Sequence, residues 1–378
     1  MQNPSYQICT KTVMDNISDP DITFDENGVC NYYYEFTEKL KIRIPSPEVG
    51  KRQLDLLVDK MKASGKGKNY DCIIGVSGGV DSTYTAWLVK SLGLRPLAVH
   101  LDNGWNSELA VNNIENILNK LGIDLHTEVL DWNMFKDLQL SFLKASTPDG
   151  EIPTDHAILA LMYQSAKRFG VKYIISGMNF RNEGMLPKSW ARGYLDWKYI
   201  KNVQKIFGTQ SLENFPHFSF TKFLYSNIFL GVKNVSILNY IDFRKGEAIK
   251  IIEKELDWRN YGGKHYESIY TRFFQSYILP IKFGIDKRKA HLSCLIMSTG
   301  EVTREEALKL LEEPIADPKL VAEDKEYVIK KFGISESEFD DIMKLPVKSI
   351  LDYPNIYFLE SKFRKVLLAF RKLNIMHN

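Results

Sequence analysis

Several features that mark other classes of protein are scarce in this chain or missing from it. Its four cysteines, Cys9, Cys30, Cys72 and Cys294, are far apart and form no CxxC pair, so neither a disulfide framework nor a redox pair is expected. The net charge of +3 is slight for 378 residues and gives no support to a nucleic-acid binder that relies on bulk charge. The most apolar late stretch, residues 223–240, is interrupted by polar residues and falls short of a membrane span.

The composition that remains is typical of a globular protein. Hydrophobic residues make up 44% and charged residues 26%, and the length allows two or three domains with a sizeable core. No apolar stretch follows a basic start at the N-terminus, so we expect no secretory signal and a cytoplasmic location.

The most informative stretch is CIIGVSGGVDS at residues 72–82. A short apolar run ends there in glycines, an acid and serines, and a helix-like stretch follows at 83–92. This order predicts a strand, a phosphate-binding turn and a helix, because N–H groups at a helix N-terminus bind anions and glycines let phosphate approach closely. An ordinary glycine turn is the alternative, but five specified positions in this context favour the phosphate loop.

Strands and helices alternate from residue 72 to residue 176. Because strand–helix alternation builds parallel sheets covered by helices, we predict an α/β fold with a doubly wound parallel sheet. Its ligand should lie at the carboxyl ends of the strands. The predicted strands are 72–76, 97–101, 126–130 and 172–176, and the predicted helices are 82–92, 107–121, 133–145 and 155–169.

The pattern is weaker outside this region. Residues 1–50 are predicted to be irregular, apart from a basic helix that begins at their end, and the alternation is expected to stop near Phe180. We therefore predict an N-terminal arm and helix at 1–65, an α/β nucleotide-binding domain at 66–185, and a mostly helical substrate or partner region at 186–378.

The SGGVDS order at 77–82 resembles the pyrophosphate (PP) loop of the ATP pyrophosphatase superfamily, whose members split ATP into AMP and pyrophosphate. Three further stretches narrow this resemblance. They are CTKTVMD at the start of 9–30, SGMNFRNEG at 176–184, and YGGKHYES at the start of 261–293. Together with the loop, they make the chain similar to the N-acetyl sugar amidotransferases of bacterial surface-polysaccharide, O-antigen and flagellin-glycan synthesis.

This resemblance implies that an acetamidino group is formed on a nucleotide-linked sugar such as a UDP-diacetamido uronic acid. The acetamido oxygen would attack ATP, pyrophosphate would leave, and ammonia would then displace AMP, with Mg²⁺ bound to the ATP. The family obtains its ammonia from a glutaminase and a cyclase-like barrel partner. We expect the same partners here, because no cysteine of this chain lies in a nucleophile elbow.

The chain departs from the family's pattern at its cysteines. Relatives carry two CxxC pairs that suggest a zinc site, whereas here Thr12 and Tyr33 stand where partners of Cys9 and Cys30 would be. Two thiolates cannot close a tetrahedral zinc site without other ligands, so zinc is not expected.

The candidate nucleotide-binding residues lie in the loop and at neighbouring strand ends. Asp81 is expected to hold Mg²⁺, with a helix-start acid as the alternative, and the resemblance implies Glu183 as the second metal ligand. The expected ATP-binding residues are Gly75, Val76, Ser77, Gly78, Gly79, Val80, Asp81, Ser82, Leu101, Asp102, Gly177 and Asn179.

Three basic residues are candidates for stabilising charge on the α-phosphate and the leaving pyrophosphate. Lys264 lies in a Gly-Gly-Lys-His turn, and Lys287 and Arg288 lie at a predicted helix start, where the helix dipole disfavours cations. With Asp81 they form the predicted catalytic set, and surface charge is the alternative.

An amphipathic basic stretch at 359–373 is predicted to pack on its own domain, with docking on a partner or membrane as alternatives.

Two other functions stay open. A PP-loop enzyme that modifies tRNA by thiolation or lysidine-type ligation would share the loop, but thiolation generally needs a cysteine pair and tRNA needs a basic surface. A nucleotide-binding scaffold of a synthase complex would have no need of an intact SGGVDS loop.

Overall fold

A computed structural model describes residues 5–263 and 265–357 of the chain. Within these residues the centre of the molecule is one sheet of five strands in the order β3-β2-β1-β4-β5, with every neighbouring pair parallel. The predicted α/β class and the parallel sheet are therefore confirmed. The strands are β1 (Cys72–Gly75), β2 (Pro96–Asp102), β3 (Asp124–Val129), β4 (Tyr173–Ser176) and β5 (Lys233–Ser236).

Helices cover the sheet and build most of the remaining described chain. Those that precede or separate the first four strands are α1 (Asn31–Arg43), α2 (Pro47–Ser64), α3 (Val80–Ser91), α4 (Glu108–Leu121), α5 (Trp132–Ala145) and α6 (Ile152–Arg168). Those that follow are α7 (Phe180–Glu183), α8 (Trp197–Phe207), α9 (Phe220–Ile228), α10 (Lys245–Leu256), α11 (Ile269–Phe273), α12 (Leu279–Phe283), α13 (Arg288–Ser298), α14 (Arg304–Glu312), α15 (Pro318–Phe332) and α16 (Glu336–Lys344). A π-helical segment, Phe274–Ile278, joins α11 to α12.

Two hydrophobic layers lie on the two faces of the sheet, because successive strand residues point in opposite directions. Ile73 and Val99 belong to the layer that includes Leu161 of α6. Ile74 belongs to the opposite layer, with Val89 of α3. All five side chains are at most 4% exposed, so the carboxyl ends of the strands stand on a rigid platform.

Two predictions about the elements are wrong. Residues 31–43 were expected to be irregular but form α1, in which only Phe36 is buried, so the segment lacks the apolar stripe that marks a helix. The alternation was expected to stop near Phe180, yet β5 extends the sheet beside β4. Of its four residues only Val235 is buried, so its sequence carries little strand signal. In the part of the chain that the structure describes, no helix could cross a membrane.

Candidate functional site

The loop between β1 and α3 is held together by its two serines. The hydroxyl oxygens of Ser77 and Ser82 lie 3.2 Å apart, and the Ser82 hydroxyl donates to the Gly79 carbonyl at 3.0 Å. The Gly79 N–H donates to the Ser77 hydroxyl at 3.3 Å. The first N–H groups of α3 have no acceptor within the helix, so this closed loop presents donors at the carboxyl edge of the sheet.

Gly78 adopts a backbone conformation that other residues rarely take, with φ at +80°. A Cβ atom there would also lie 2.7 Å from the carbonyl oxygen of Ala110 in α4. The Gly78 carbonyl accepts a hydrogen bond from the Trp258 indole at 2.7 Å and another from the Tyr261 hydroxyl. A glycine is therefore required both by the turn and by the close approach of α4.

The end of β4 lies directly against this loop. A Cβ on Gly177 would lie 3.0 Å from the backbone carbonyl of Asp81, so these two predicted residues are brought together. Asn179 caps the short helix α7 by accepting the Asn182 N–H at 2.9 Å. The Asn179 side-chain amide nitrogen is buried and has no hydrogen-bond partner among the described residues, which leaves a donor for a ligand at this edge.

The ends of β1 and β2, where adenine binding was expected, also lie side by side. Gly75 pairs with Val99 in the parallel register, and the Val76 carbonyl contacts the His100 ring at 2.8 Å. Leu101 is buried, whereas the Asp102 carboxylate accepts the Gly104 N–H at 2.9 Å.

Glu267 lies over the loop and was missed by the sequence reasoning. Its Oε1 is 3.5 Å from the position of a Cβ on Gly79, and its main-chain carbonyl accepts the Ser107 N–H at 2.9 Å. Burial alone would raise the pKa of Glu267, but the neighbouring His265 outweighs it and lowers that pKa, so the carboxylate is ionised. Glu267 belongs to the YGGKHYES stretch, which drew attention only to its basic residues.

Two carboxylates thus lie near the loop. The pKa of the Tyr261 phenol is raised, mainly by burial and then by the charges of Glu267 and Asp81. Both acids therefore lie near that ring. No group of three or more His, Cys, Asp or Glu side chains suited to a metal is found in residues 5–263 and 265–357. Asp81 and Glu267 are the acids near the loop that could contact a Mg²⁺ ion bound with ATP, whose other ligands would be phosphate oxygens and water. Glu183, the predicted second ligand, ends α7 and is half-buried.

Lys287 lies among carboxylates. Its ammonium is 3.4 Å from the Glu151 carboxylate, which also accepts the Gln275 amide at 3.0 Å. Burial would lower the pKa of Lys287, but the charges of Glu151, Asp149 and Asp155 outweigh burial and raise it.

Arg288 is bound by neighbours at the start of α13. Its guanidinium pairs with Asp286 at 2.8 Å and donates to the carbonyls of Leu310 and Glu313, at the end of α14, at 3.0 Å each. These contacts hold α13 against the end of α14, so the geometry favours a structural role over the predicted catalytic one. Lys264 and the stretch 359–373 lie outside the described residues.

The N-terminal cysteines meet in a buried turn. The Cys30 N–H donates to the Cys9 sulfur at 3.2 Å, and the Thr12 hydroxyl lies 3.6 Å from the Cys30 sulfur. The hydrogen bond to Cys30 is the largest cause that lowers the pKa of Cys9, to about 5. Arg304 donates to the carbonyls of Cys9 and Thr12, so hydrogen bonds from α14 hold this turn.

The fold places the protein in the α/β class with a parallel sheet, and the SGGVDS loop that follows β1 resembles the PP-loop. The family model described as LPS biosynthesis protein WbpG-like, C-terminal domain, matches residues 267–367. The matched region is about a quarter of the chain, and this part of the chain is similar to that family, in agreement with the predicted resemblance. The matched region begins at Glu267, the residue that lies over the loop.

Curated proteins match shorter parts of the chain. A GMP synthase [glutamine-hydrolyzing] of Pyrobaculum aerophilum is 40% identical over 74 residues, which are 19% of this chain and 14% of that protein. A tRNA-specific 2-thiouridylase MnmA of Shigella boydii is 30% identical over 132 residues, 31% of this chain and 36% of that protein. The chain therefore spans less than two fifths of the length of these relatives.

Two solved structures are similar over more of the chain at low sequence identity. NMN synthetase from Francisella tularensis is 13% identical with a TM-score of 0.35, covering 80% of this chain and 98% of its own. NH3-dependent NAD synthetase from Campylobacter jejuni is 15% identical with a TM-score of 0.32, covering 84% and 98%.

Proposed function

We propose that this chain is an ATP-dependent amidotransferase that converts an acetamido group of a nucleotide-linked sugar into an acetamidino group. The sugar class is a UDP-diacetamido uronic acid or a close relative, made for a bacterial surface polysaccharide. One observation carries the proposal: Glu267, the first residue of the WbpG-like domain, lies 3.5 Å from the Cβ position of Gly79 in the PP-loop. This contact supports the proposal, because it brings the region that matches a family of lipopolysaccharide synthesis against the loop proposed to split ATP.

The residues of the loop fit the first half of this reaction. Backbone N–H groups of Gly79, Val80 and Asp81 would hold the β- and γ-phosphates, and the Ser77 and Ser82 hydroxyls would add hydrogen bonds. Mg²⁺, when bound, would neutralise charge that develops on the leaving pyrophosphate. The acetamido oxygen would then attack the α-phosphorus, and an O-adenylyl imidate would remain on the sugar.

Ammonia is proposed to come from a separate glutaminase. Glutamine hydrolysis by an amidotransferase-type thiol needs an accessible nucleophile, and all four cysteines of this chain are 0% exposed. The isolated chain should therefore use ammonium salts and should fail with glutamine alone.

A tRNA-modifying enzyme is the second candidate, since the match to a tRNA-specific 2-thiouridylase spans 132 residues. The buried cysteines disfavour it, because thiolation chemistry needs thiols that can be reached.

One assay separates these functions. The chain is mixed with Mg-ATP, ammonium chloride and either UDP-diacetamido sugars or bulk tRNA, and AMP and products are followed by mass spectrometry. We expect sugar-dependent AMP and a product in which NH replaces O. Asp81→Asn should abolish both, whereas Asp59→Asn, the same change on an exposed position of α2, should not. AMP formed only with tRNA would exclude the sugar reaction, and no AMP with either acceptor would favour a scaffold.

A further inference from the structure

A lysine side chain lies inside a cage of three aromatic rings. The ammonium of Lys331, in the last turn of α15, is 4.8 Å from the centre of the Trp105 ring and 4.9 Å from that of Trp132. The centre of the Tyr327 ring is 5.3 Å away. The ammonium also donates to the Gly104 carbonyl and, at 3.2 Å, to the Tyr327 hydroxyl. We call these five residues the lysine cage.

Rings and a carbonyl hold the charge of Lys331, since no carboxylate within residues 5–263 and 265–357 pairs with it. The walls of the cage are themselves fixed. Trp105 is 1% exposed, and its indole N–H donates to the Gln139 side chain at 2.5 Å. The Trp132 ring lies edge-on to Trp105, with ring centres 5.2 Å apart. Because indole faces attract cations more strongly than other rings, these walls offer the ammonium a defined place.

The lysine cage is built on the turn that follows β2. Gly104 has φ at +80°, and its N–H donates to the Asp102 carboxylate at 2.9 Å. A Cβ on Gly104 would lie 3.1 Å from the Trp132 ring, so this ring packs directly on the turn. The turn follows the carboxyl end of a parallel strand, the edge where ligands of such sheets bind. Lys331 therefore fixes the backbone beside Asp102, a predicted ATP-binding residue.

The same turn is hydrogen-bonded to the segment that carries Glu267. The Ile269 N–H donates to the Trp105 carbonyl at 2.9 Å, and the Ser107 N–H donates to the Glu267 carbonyl at 2.9 Å. An antiparallel bridge lies between these two bonds. The side chain of Glu267 then lies over Gly79 of the loop. A displacement of the turn would therefore be passed to Glu267 through the main chain.

The dipole of α15 does not by itself explain where Lys331 lies. Cations are favoured at a helix C-terminus, and Lys330 lies in the same last turn. Lys330 is nevertheless exposed and contacts no aromatic ring of the described part of the chain. The two lysines share the dipole, and only Lys331 enters the cage, so the rings and the Gly104 carbonyl select its position.

We propose that Lys331 is a positioning residue, which clamps the turn after β2 and through it holds Glu267 over the PP-loop. This assignment rests on the proposed function, in which Mg-ATP binds at that loop. Lys331 acts through other residues and takes part in no bond-making step. Both Lys331 and Glu267 belong to the region 267–367 that matches the WbpG-like model, so one region supplies the acid and the clamp that orients it.

The first test measures the clamp without any reaction. Lys331→Met removes the charge and keeps a long side chain, and Lys330→Met is the same change at the exposed neighbour. Amide hydrogen exchange at the Ser107 and Ile269 N–H groups should be about tenfold faster or more in Lys331→Met and unchanged in Lys330→Met. Trp132→Leu, which removes one wall of the cage, should accelerate the same amides. Lys331→Arg should restore slow exchange, because a guanidinium also stacks on aromatic rings.

The second test asks whether the clamp acts through Glu267. Lys331→Met should raise the Mg²⁺ concentration for half-maximal sugar-dependent AMP formation several-fold, with a smaller change in kcat. In a Glu267→Gln background it should cause no further rise, whereas independent effects would multiply. A lysine that only stabilises the fold would lower the Tm without this coupling.

The outcomes separate the two proposals. A wild-type chain that forms no AMP with any sugar would refute the proposed function, and hydrogen exchange would still report the clamp. Unchanged exchange at Ser107 and Ile269 in both Lys331→Met and Trp132→Leu would overturn the clamp. An active chain in which Lys331→Met and Glu267→Gln multiply their effects would overturn the route through Glu267.

Discussion

The indole nitrogen of Trp258 donates a hydrogen bond to the carbonyl oxygen of Gly78 at 2.7 Å, across 180 positions of sequence. Tyr261 donates to the same oxygen. The carbonyl belongs to the residue with φ of +80°, so the turn of the PP-loop is held from outside by the segment that follows α10. The position of the phosphate donors thus depends on residues far from the motif.

Replacing this donor should weaken ATP binding before it affects the chemical step. Trp258→Phe removes one hydrogen bond, worth about 1 kcal/mol, and should raise the KM for ATP several-fold with a smaller change in kcat. Trp87→Phe is the control, because its indole is bonded to Glu255 on the surface. Equal loss of kcat and kcat/KM in Trp258→Phe would mean that the indole acts in the transition state instead.

Gly78→Ala should abolish ATP-dependent activity. The new Cβ would lie 2.7 Å from the Ala110 carbonyl, in a backbone conformation that costs other residues about 1–3 kcal/mol. Gly122→Ala provides the control, since φ there is +58° and no atom lies within 4 Å of its Cβ position. The control should lose stability and keep its KM for ATP, as thermal melts and initial rates will report. An active Gly78→Ala chain would contradict the close approach of α4 to the loop.

Glu267→Gln should raise the Mg²⁺ concentration needed for half-maximal AMP formation by about tenfold, because the amide is a weaker ligand for a hard cation. The exposed Glu253 of α10 supplies the control variant Glu253→Gln. If Glu267 only repels ATP, the variant will instead bind ATP more tightly with an unchanged Mg²⁺ dependence. Titrating Mg²⁺ at fixed ATP distinguishes these results.

His156 should make the fold sensitive to acid. Its ring is stacked between Trp197 and Phe218, and burial lowers its pKa to about 4. The unfolded chain takes up this proton near pH 6.5 and the folded chain near pH 4, so stability is lost as pH falls through that interval, by up to about 3 kcal/mol.

The raised pKa values of Asp149 and Asp155 have the opposite effect on stability. These acids stay protonated in the folded chain, so the stability that they contribute falls as pH rises from about 4 to about 8. The measurement is therefore the difference in unfolding free energy between wild type and His156→Gln across pH 4–7. This difference should shrink as pH falls. A pH-independent difference would show that His156 stays neutral in both states.

Arg288→Gln tests the structural role against the predicted catalytic one. Losing the Asp286 ion pair and the bonds to carbonyls at the end of α14 should lower the unfolding free energy by about 1–3 kcal/mol. Asp286→Asn should reproduce the loss of stability. Both variants should keep the kcat of sugar-dependent AMP formation under conditions where they are folded. A selective collapse of kcat in Arg288→Gln would restore the guanidinium to the catalytic set.

Local sequence was sufficient for much of the fold. The predicted strands 72–76 and 97–101 correspond to β1 and β2 within a residue at each end, because apolar runs bounded by turns leave few alternatives. The four-residue β5, with one buried side chain, has no such run. Pairing with β4 stabilises it, and that contact is not visible in the sequence.

The candidate site divides in the same way. Ser77–Ser82 was predictable because a strand, two glycines and a helix start follow one another directly, so the phosphate donors are set by neighbouring residues. The contact of Arg288 with the Leu310 carbonyl, 22 residues away in α14, could not be predicted from local sequence, and the catalytic role of Arg288 stays a prediction.

The sequence by itself determined the parallel sheet and predicted a phosphate loop and a reaction, since each depends on residues adjacent in the chain or on a motif of fixed order. The tertiary structure alone decided which distant groups serve that loop. It placed Glu267 over Gly79 and gathered three acids around Lys287, because the charge and burial of a side chain depend on everything packed around it.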